Sequence, residues 1–137
     1  MPSIRLPCPS TTDRHFGRLF FPGVQVGVKL GDGTFQSFEF ILDSGADCTM
    51  VPCGMARLTG FSLPRTPDTH VSGISGRPIA AYIGNLTLKI QSEIFDVRCL
   101  FTRSNRTPLL LGRVDFFSLF SVTFDGRNSH IILDKIT

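Results

Sequence analysis

From residue 24 the chain alternates. Val24, Val26, Val28 and Leu30 fall on one face and Gln25, Gly27 and Lys29 on the other, the period-two pattern of a half-buried strand. Gly31-Asp32-Gly33 supplies a hairpin turn, and Phe38, Phe40 and Leu42 carry the apolar face back. Thr49-Met50-Val51-Pro52 predicts a short strand stopped by proline. Residues 55–58 suit one helical turn, and Pro64 and Pro67 mark a loop. His70-Val71-Ser72-Gly73-Ile74-Ser75-Gly76 reads as a glycine-flanked hairpin tip, with 79–83 as its return arm. Two alternating strands follow, one on Leu86, Leu88 and Ile90, the next on Phe95, Val97, Cys99 and Phe101. Leu109-Leu110-Leu111 predicts a short, wholly apolar strand, and residues 113–119 are the best helix candidate. Val122, Phe124, a turn at Asp125-Gly126-Arg127-Asn128, and residues 131–133 make a closing hairpin.

Many short strands with little helix define an all-β class, whose natural architecture is a small closed β-barrel or sandwich. Residues 1–22, with Pro2, Pro7, Pro9 and Pro22, read as an irregular N-terminal arm, and 23–137 as the folded domain. A chain of 137 residues is long enough for one compact domain and too short for two ordinary ones.

Composition adds exclusions. Hydrophobic residues at 42% against 18% charged rule out a disordered chain, and thirteen Phe with one Tyr and no Trp point to an apolar interior. A net charge of +3 with no dense Lys/Arg run is not the signature of a nucleic-acid binder. Cys8, Cys48, Cys53 and Cys99 allow two disulfides by count. Free thiols in a reducing compartment are the simpler reading. No close Cys pair and three scattered histidines (His15, His70, His130) suggest neither a metal nor a cofactor site. The N-terminus lacks a signal-peptide pattern, and no apolar run approaches the roughly 20 residues of a membrane span. The expectation is a cytoplasmic protein without a membrane partner.

The candidate chemistry lies at Phe38-Glu39-Phe40-Ile41-Leu42-Asp43-Ser44-Gly45-Ala46-Asp47, where an apolar strand runs into a carboxylate. A carboxylate there is costly unless something requires it. The small Ser44 and Gly45 let the backbone turn sharply and let a second chain approach. Asp-Ser-Gly alone is also a common turn composition. Two later motifs change its weight: Ser72-Gly73-Ile74-Ser75-Gly76, and Leu109-Leu110-Leu111-Gly112-Arg113.

With these three motifs in this order, roughly over residues 24–119, the chain resembles the retroviral-type (retropepsin-like) aspartic proteases. The closing hairpin at 121–133 is similar to the cell-encoded branch rather than the viral one. The resemblance implies a retropepsin-like barrel with one short C-terminal helix and a glycine-rich flap hairpin. It implies Asp43 as the catalytic acid/base and Ser44, Gly45 and Ala46 as the active-site loop. Asp47 would bind substrate backbone and pair with Arg113 as structural support. Gly73 and Ile74 would form the flap over the substrate, and Met50, Pro108 and Leu110 would line apolar side-chain pockets.

Paired-aspartate hydrolysis needs two carboxylates about 3 Å apart that share a proton. No other Asp here is followed by Ser/Thr-Gly. The second carboxylate would therefore come from another copy, making a homodimer that cleaves a polypeptide bound in extended form. The alternative of a different class is a non-catalytic retropepsin-like scaffold dimer, since fold does not settle activity.

Overall fold

The computed structural model describes residues 3–72 and 76–137. Twelve strands and one short helix are formed among them. In chain order these are β1 (Ile4–Pro7), β2 (Ser10–Asp13), β3 (Gly17–Phe20), β4 (Gly23–Lys29), β5 (Phe35–Leu42), β6 (Thr49–Pro52), α1 (Gly54–Thr59), β7 (Thr69–Val71), β8 (Ile79–Ile90), β9 (Glu93–Thr102), β10 (Leu110–Leu111), β11 (Phe120–Asp125) and β12 (His130–Lys135). The all-β expectation holds.

The alternating runs become the strands of the main sheet. Val24, Val26 and Val28 on β4 are buried, as are Phe40 and Leu42 on β5, Leu86, Leu88 and Ile90 on β8, and Val97, Cys99 and Phe101 on β9. The seven strands run in the order β4-β5-β10-β6-β9-β8-β7. A further pairing of β4 with β8, at Gly27↔Lys89 and Val28↔Leu88, curls the sheet back on its first strand. The curl encloses the apolar face, so a single hydrophobic core forms. Gly84 lets it pack tightly: a Cβ there would meet the Phe101 ring at 2.5 Å, and Phe101 in turn stacks on Phe61 with centroids 5.1 Å apart.

β10 sits between β5 and β6, parallel to the first and antiparallel to the second. Strands β5 and β6 are thus not neighbours, and the connection 43–48 must arch over the end of β10. Gly112, just past β10, meets that arch. A Cβ on it would lie 2.3 Å from the Cys48 carbonyl carbon and oxygen. Its N–H donates to Thr49 Oγ1 at 3.2 Å.

Three features differ from the sequence reading. Residues 3–22, the described part of the expected irregular arm at 1–22, are mostly strand. β1 pairs with β12 (Ile4↔Leu133 to Pro7↔His130), and β2 and β3 form a hairpin. Pro7 ends β1, Pro9 and Pro22 lie in connections, and the partner of β1 lies at the other end of the chain, out of reach of local pattern. Residues 113–119 are consecutive turns rather than a C-terminal helix. Phe117 N–H still donates to the Arg113 carbonyl, but Asp115 adopts φ 68, a left-handed conformation that stops a helix. Its carboxylate is fixed by Arg98, whose Nε and Nη2 each donate at 2.9 Å and whose backbone N–H donates at 2.8 Å. The one helix is α1, on the segment expected to make a single turn, and Gly60 (φ 79) ends it. The segments 79–83 and 86–90 are one continuous strand, β8.

Two stability outcomes follow from this packing. Gly112→Ala places a methyl group inside backbone atoms that cannot swing away, and is expected to cost about 2 kcal/mol or more, read from the shift of the urea unfolding midpoint. Asp115 has its carboxyl held below the usual range, chiefly by the Arg98 side-chain hydrogen bonds and then by the Arg98 N–H. A lowered folded-state pKa contributes stability that is present above the unfolded value, about 3.9, and lost as pH falls through the folded one. Wild type is therefore expected to exceed Asp115→Asn in stability near neutrality, with the gap closing below about pH 4; a gap independent of pH would contradict this assignment.

Candidate active site

Leu42 is the last residue of β5, and its burial sets the strand end against the core. Asp43 follows, half-buried, with its N–H donating to the Leu111 carbonyl at 3.0 Å. The Gly45 N–H donates to Asp43 Oδ1 at 2.9 Å, and the Ala46 N–H to the Asp43 carbonyl at 3.2 Å. The carboxylate thus orients its own turn, as Asp does when followed by small residues. A Cβ on Gly45 would come within 3.2 Å of the same Oδ1. Ser44 and Gly45 are exposed, and Ala46 is buried beneath them.

The loop is clamped from one side. Arg113 N–H donates to the Ala46 carbonyl at 3.0 Å and Val114 N–H to the Asp47 carbonyl at 2.8 Å. The Arg113 guanidinium bridges two points, donating to the Ser44 carbonyl at 3.1 Å and forming an ion pair with the Asp47 carboxylate. The Asp47 side chain is 87% exposed, so the pair is screened by solvent and its effect is to position the loop rather than to add much stability. Motifs far apart in sequence, Asp43 to Asp47 and Leu111 to Arg113, are thereby brought together.

Two adjoining cavities open beside the loop. One, of about 380 Å³, is bordered by residues 45–48 with Met50, Val71, Ser72 and Leu100. The other, of about 160 Å³, is bordered by Met50, Val71, Ser72, Ile79, Thr102, Thr107 and Pro108. Met50 borders both cavities and Pro108 the smaller one. Leu110 borders neither: it lies in β10 between Ile41 and Met50, half-buried. Gly73 and Ile74 lie outside the described residues. The arms of their hairpin pair from Thr69↔Ala81 to Val71↔Ile79. Leu100 and Thr102 escaped the sequence reading, because only the register β7-β8-β9 carries them to the hairpin base, and so did Thr107, whose hydroxyl accepts from Thr102 Oγ1 at 2.7 Å. Two larger clefts, of about 450 and 550 Å³, open on other parts of the surface, and neither is bordered by the 43–47 loop.

Two thiols lie close to the loop and the strand it enters, Cys48 before Thr49 and Cys99 opposite it. Burial, and then the charge of Asp47, raise the Cys48 thiol above its ordinary value, and burial pushes Cys99 up to about 12. All four cysteines are free thiols. Among the described residues no group of three or more His, Cys, Asp or Glu side chains converges, and no second carboxylate hydrogen-bonds Asp43. No helix among them is long and apolar enough to cross a membrane.

No family model matches the sequence, and no curated protein matches it. Solved structures do. A retropepsin-like aspartic protease from Rickettsia conorii superposes with TM-score 0.62 at 17% identity, over 96% of this chain and 89% of that one. The EIAV protease, solved in complex with the inhibitor HBY-793, superposes with TM-score 0.51 at 19% identity, over 68% of this chain and 82% of the other. With its strand order, its arched Asp43 loop and these neighbours, the chain has the retropepsin-like fold.

Proposed function

We propose that the chain is an aspartic endopeptidase, active as a homodimer to which each copy contributes one catalytic carboxylate, Asp43. The observation that carries this reading is the state of that residue. It is half-buried at the end of a core strand, on a loop held by Gly112 and Arg113, beside apolar cavities, with no carboxylate partner among the described residues. Such an acid is half of a dyad.

When a second Asp43 meets the first across a two-fold axis, two like charges that close cannot both ionise, and the pair shares one proton. The ionised member takes a proton from a bound water. The protonated member donates to the carbonyl oxygen of the scissile bond. Water adds directly to the carbonyl carbon with no acyl-enzyme, and the C–N bond breaks as the leaving amine is protonated. Ser44 hydrogen-bonds across the axis. The Gly45 carbonyl accepts from substrate, and Ala46 leaves room for it. Asp47, steadied by Arg113, binds substrate backbone. Gly73 gives the flap the freedom to close, and Ile74 directs its N–H, through a water, at substrate carbonyls. Met50 and Pro108, with Leu110 behind them, favour apolar side chains on an extended polypeptide.

Incubation of the purified protein with an unfolded protein at pH 4 to 7 tests this directly. Asp43→Asn is expected to lower cleavage by about 10²-fold or more, because it removes the proton acceptor while keeping the turn. Equal fragments from both proteins would remove the catalytic assignment, and no fragments from either would favour a non-catalytic scaffold. Arg113→Lys keeps the charge but cannot span Ser44 and Asp47 together. It is expected to reduce kcat/KM about tenfold, with the unfolding midpoint little changed.

A further inference from the structure

The hairpin β2–β3 is poorly supported by its own chain. Among the described residues each strand pairs only with the other, which leaves both outer edges without a strand partner there. Two-stranded hairpins are marginal in water without a further contact. Its internal support is Phe20 at the root, half-buried against the core, with Arg18 donating to the Arg127 carbonyl at 3.0 Å and to Ser129 Oγ, and the Phe21 N–H on the Pro9 carbonyl at 3.0 Å; the tip beyond Arg18 has none of these. Yet the tip is well shaped. Asp13 Oδ1 accepts from the N–H groups of His15 at 2.7 Å and Phe16 at 2.9 Å. This turn holds the Phe16 ring out into solvent, 81% exposed, and Leu19 on β3 is 40% exposed. An ordered tip that presents a phenylalanine to water is an anchor awaiting a surface.

The root of the hairpin indicates which surface. Pro22, two residues past β3, accepts the Leu42 N–H at 2.9 Å, so the hairpin springs from the residue next to Asp43. If two copies of Asp43 meet, as the proposed function requires and on which this inference rests, that root lies close to the two-fold axis. Six residues in extended form reach about 20 Å, enough to carry Phe16 across the axis onto the other copy. The hairpin carries two cations, Arg14 beside Phe16 and Arg18, against one carboxylate, Asp13, which its own turn engages. The surface at the root carries Glu39, exposed and without an ion pair among the described residues. Like charge keeps two tips apart and favours tip on body.

We infer that the β2–β3 hairpin is a dimerisation arm, which each copy lays on the other beside the shared centre with Phe16 as its anchor. Sedimentation velocity over a concentration series, on wild type and on Phe16→Asp, reads this out. An exposed tip position keeps the variant folded, which circular dichroism checks. The variant is expected to dimerise about tenfold or more weakly, with any cleavage activity recovered at higher protein concentration. Leu19→Asp is expected to act in the same direction. Equal dimerisation of Phe16→Asp and wild type overturns the arm while leaving the shared-centre reading standing, as does an unchanged dimer with a raised KM, which would make the hairpin a substrate contact. A wild type that stays monomeric at every concentration and still cleaves overturns the shared centre itself, and the arm with it.

Discussion

One close approach governs the rest of this structure: the backbone at Cys48 lies against Gly112 with no room for a side chain between them. The approach follows from topology. β10 is inserted between β5 and β6, so the chain leaving β5 has to cross the end of β10 before it can enter β6. A loop forced over a strand end is short of room and has its polar groups near the core. Each must find a partner there or lose the hydrogen bonds that water supplied. The partners come from residues 111–114, and they are what gives Asp43 a defined orientation.

The same short stretch after β10 is tied in two directions. Arg113 reaches the Asp43 loop and, two residues on, Asp115 takes a bidentate bond from Arg98 on β9. Neither ion pair is buried, and neither counts for much as a source of stability. Their value is geometric. A helix across 113–119 would turn these side chains by a fixed angle per residue. The left-handed Asp115 breaks that progression, so the segment can face both the loop and the sheet edge. Beneath it the rings of Phe95, Phe116 and Phe120 form an aromatic cluster with centroids 5.3 to 5.8 Å apart, the firm base on which the turn rests.

A carboxylate oriented in this way, free of an acid neighbour and bordered by apolar cavities, is useful when something completes it. Under the proposed function the Asp43 loop would be half of a symmetric centre, completed by a second copy. The outer edges of β2 and β3, without a strand partner among the described residues, extend the same logic to the surface. Groups left unsatisfied by a chain's own contacts indicate where it meets another.

Much of this was legible in the residue order. Period-two runs such as Val24, Val26 and Val28 specify a strand and its buried face, because a pleated backbone sends alternate side chains to opposite sides. Asp43-Ser44-Gly45 specifies a tight turn, and Leu109-Leu110-Leu111 a short, wholly apolar strand. The resemblance carried by those motifs already pointed to the fold. Local pattern did not reveal β1, whose four residues pair with a strand at the far end of the chain. It also misread 113–119 as helix, because the Arg98 fork that holds Asp115 at positive φ is made by a residue on another strand. The sequence alone determined which residues are apolar, which can turn and which carry charge, since these are properties of single side chains and their spacing. Only the tertiary structure decided that Arg113 spans Ser44 and Asp47, that Leu110 pairs with both Ile41 and Met50, and that Phe16 stands in water. Each of these depends on which distant segment becomes a neighbour, and that is settled by the packing of the whole chain.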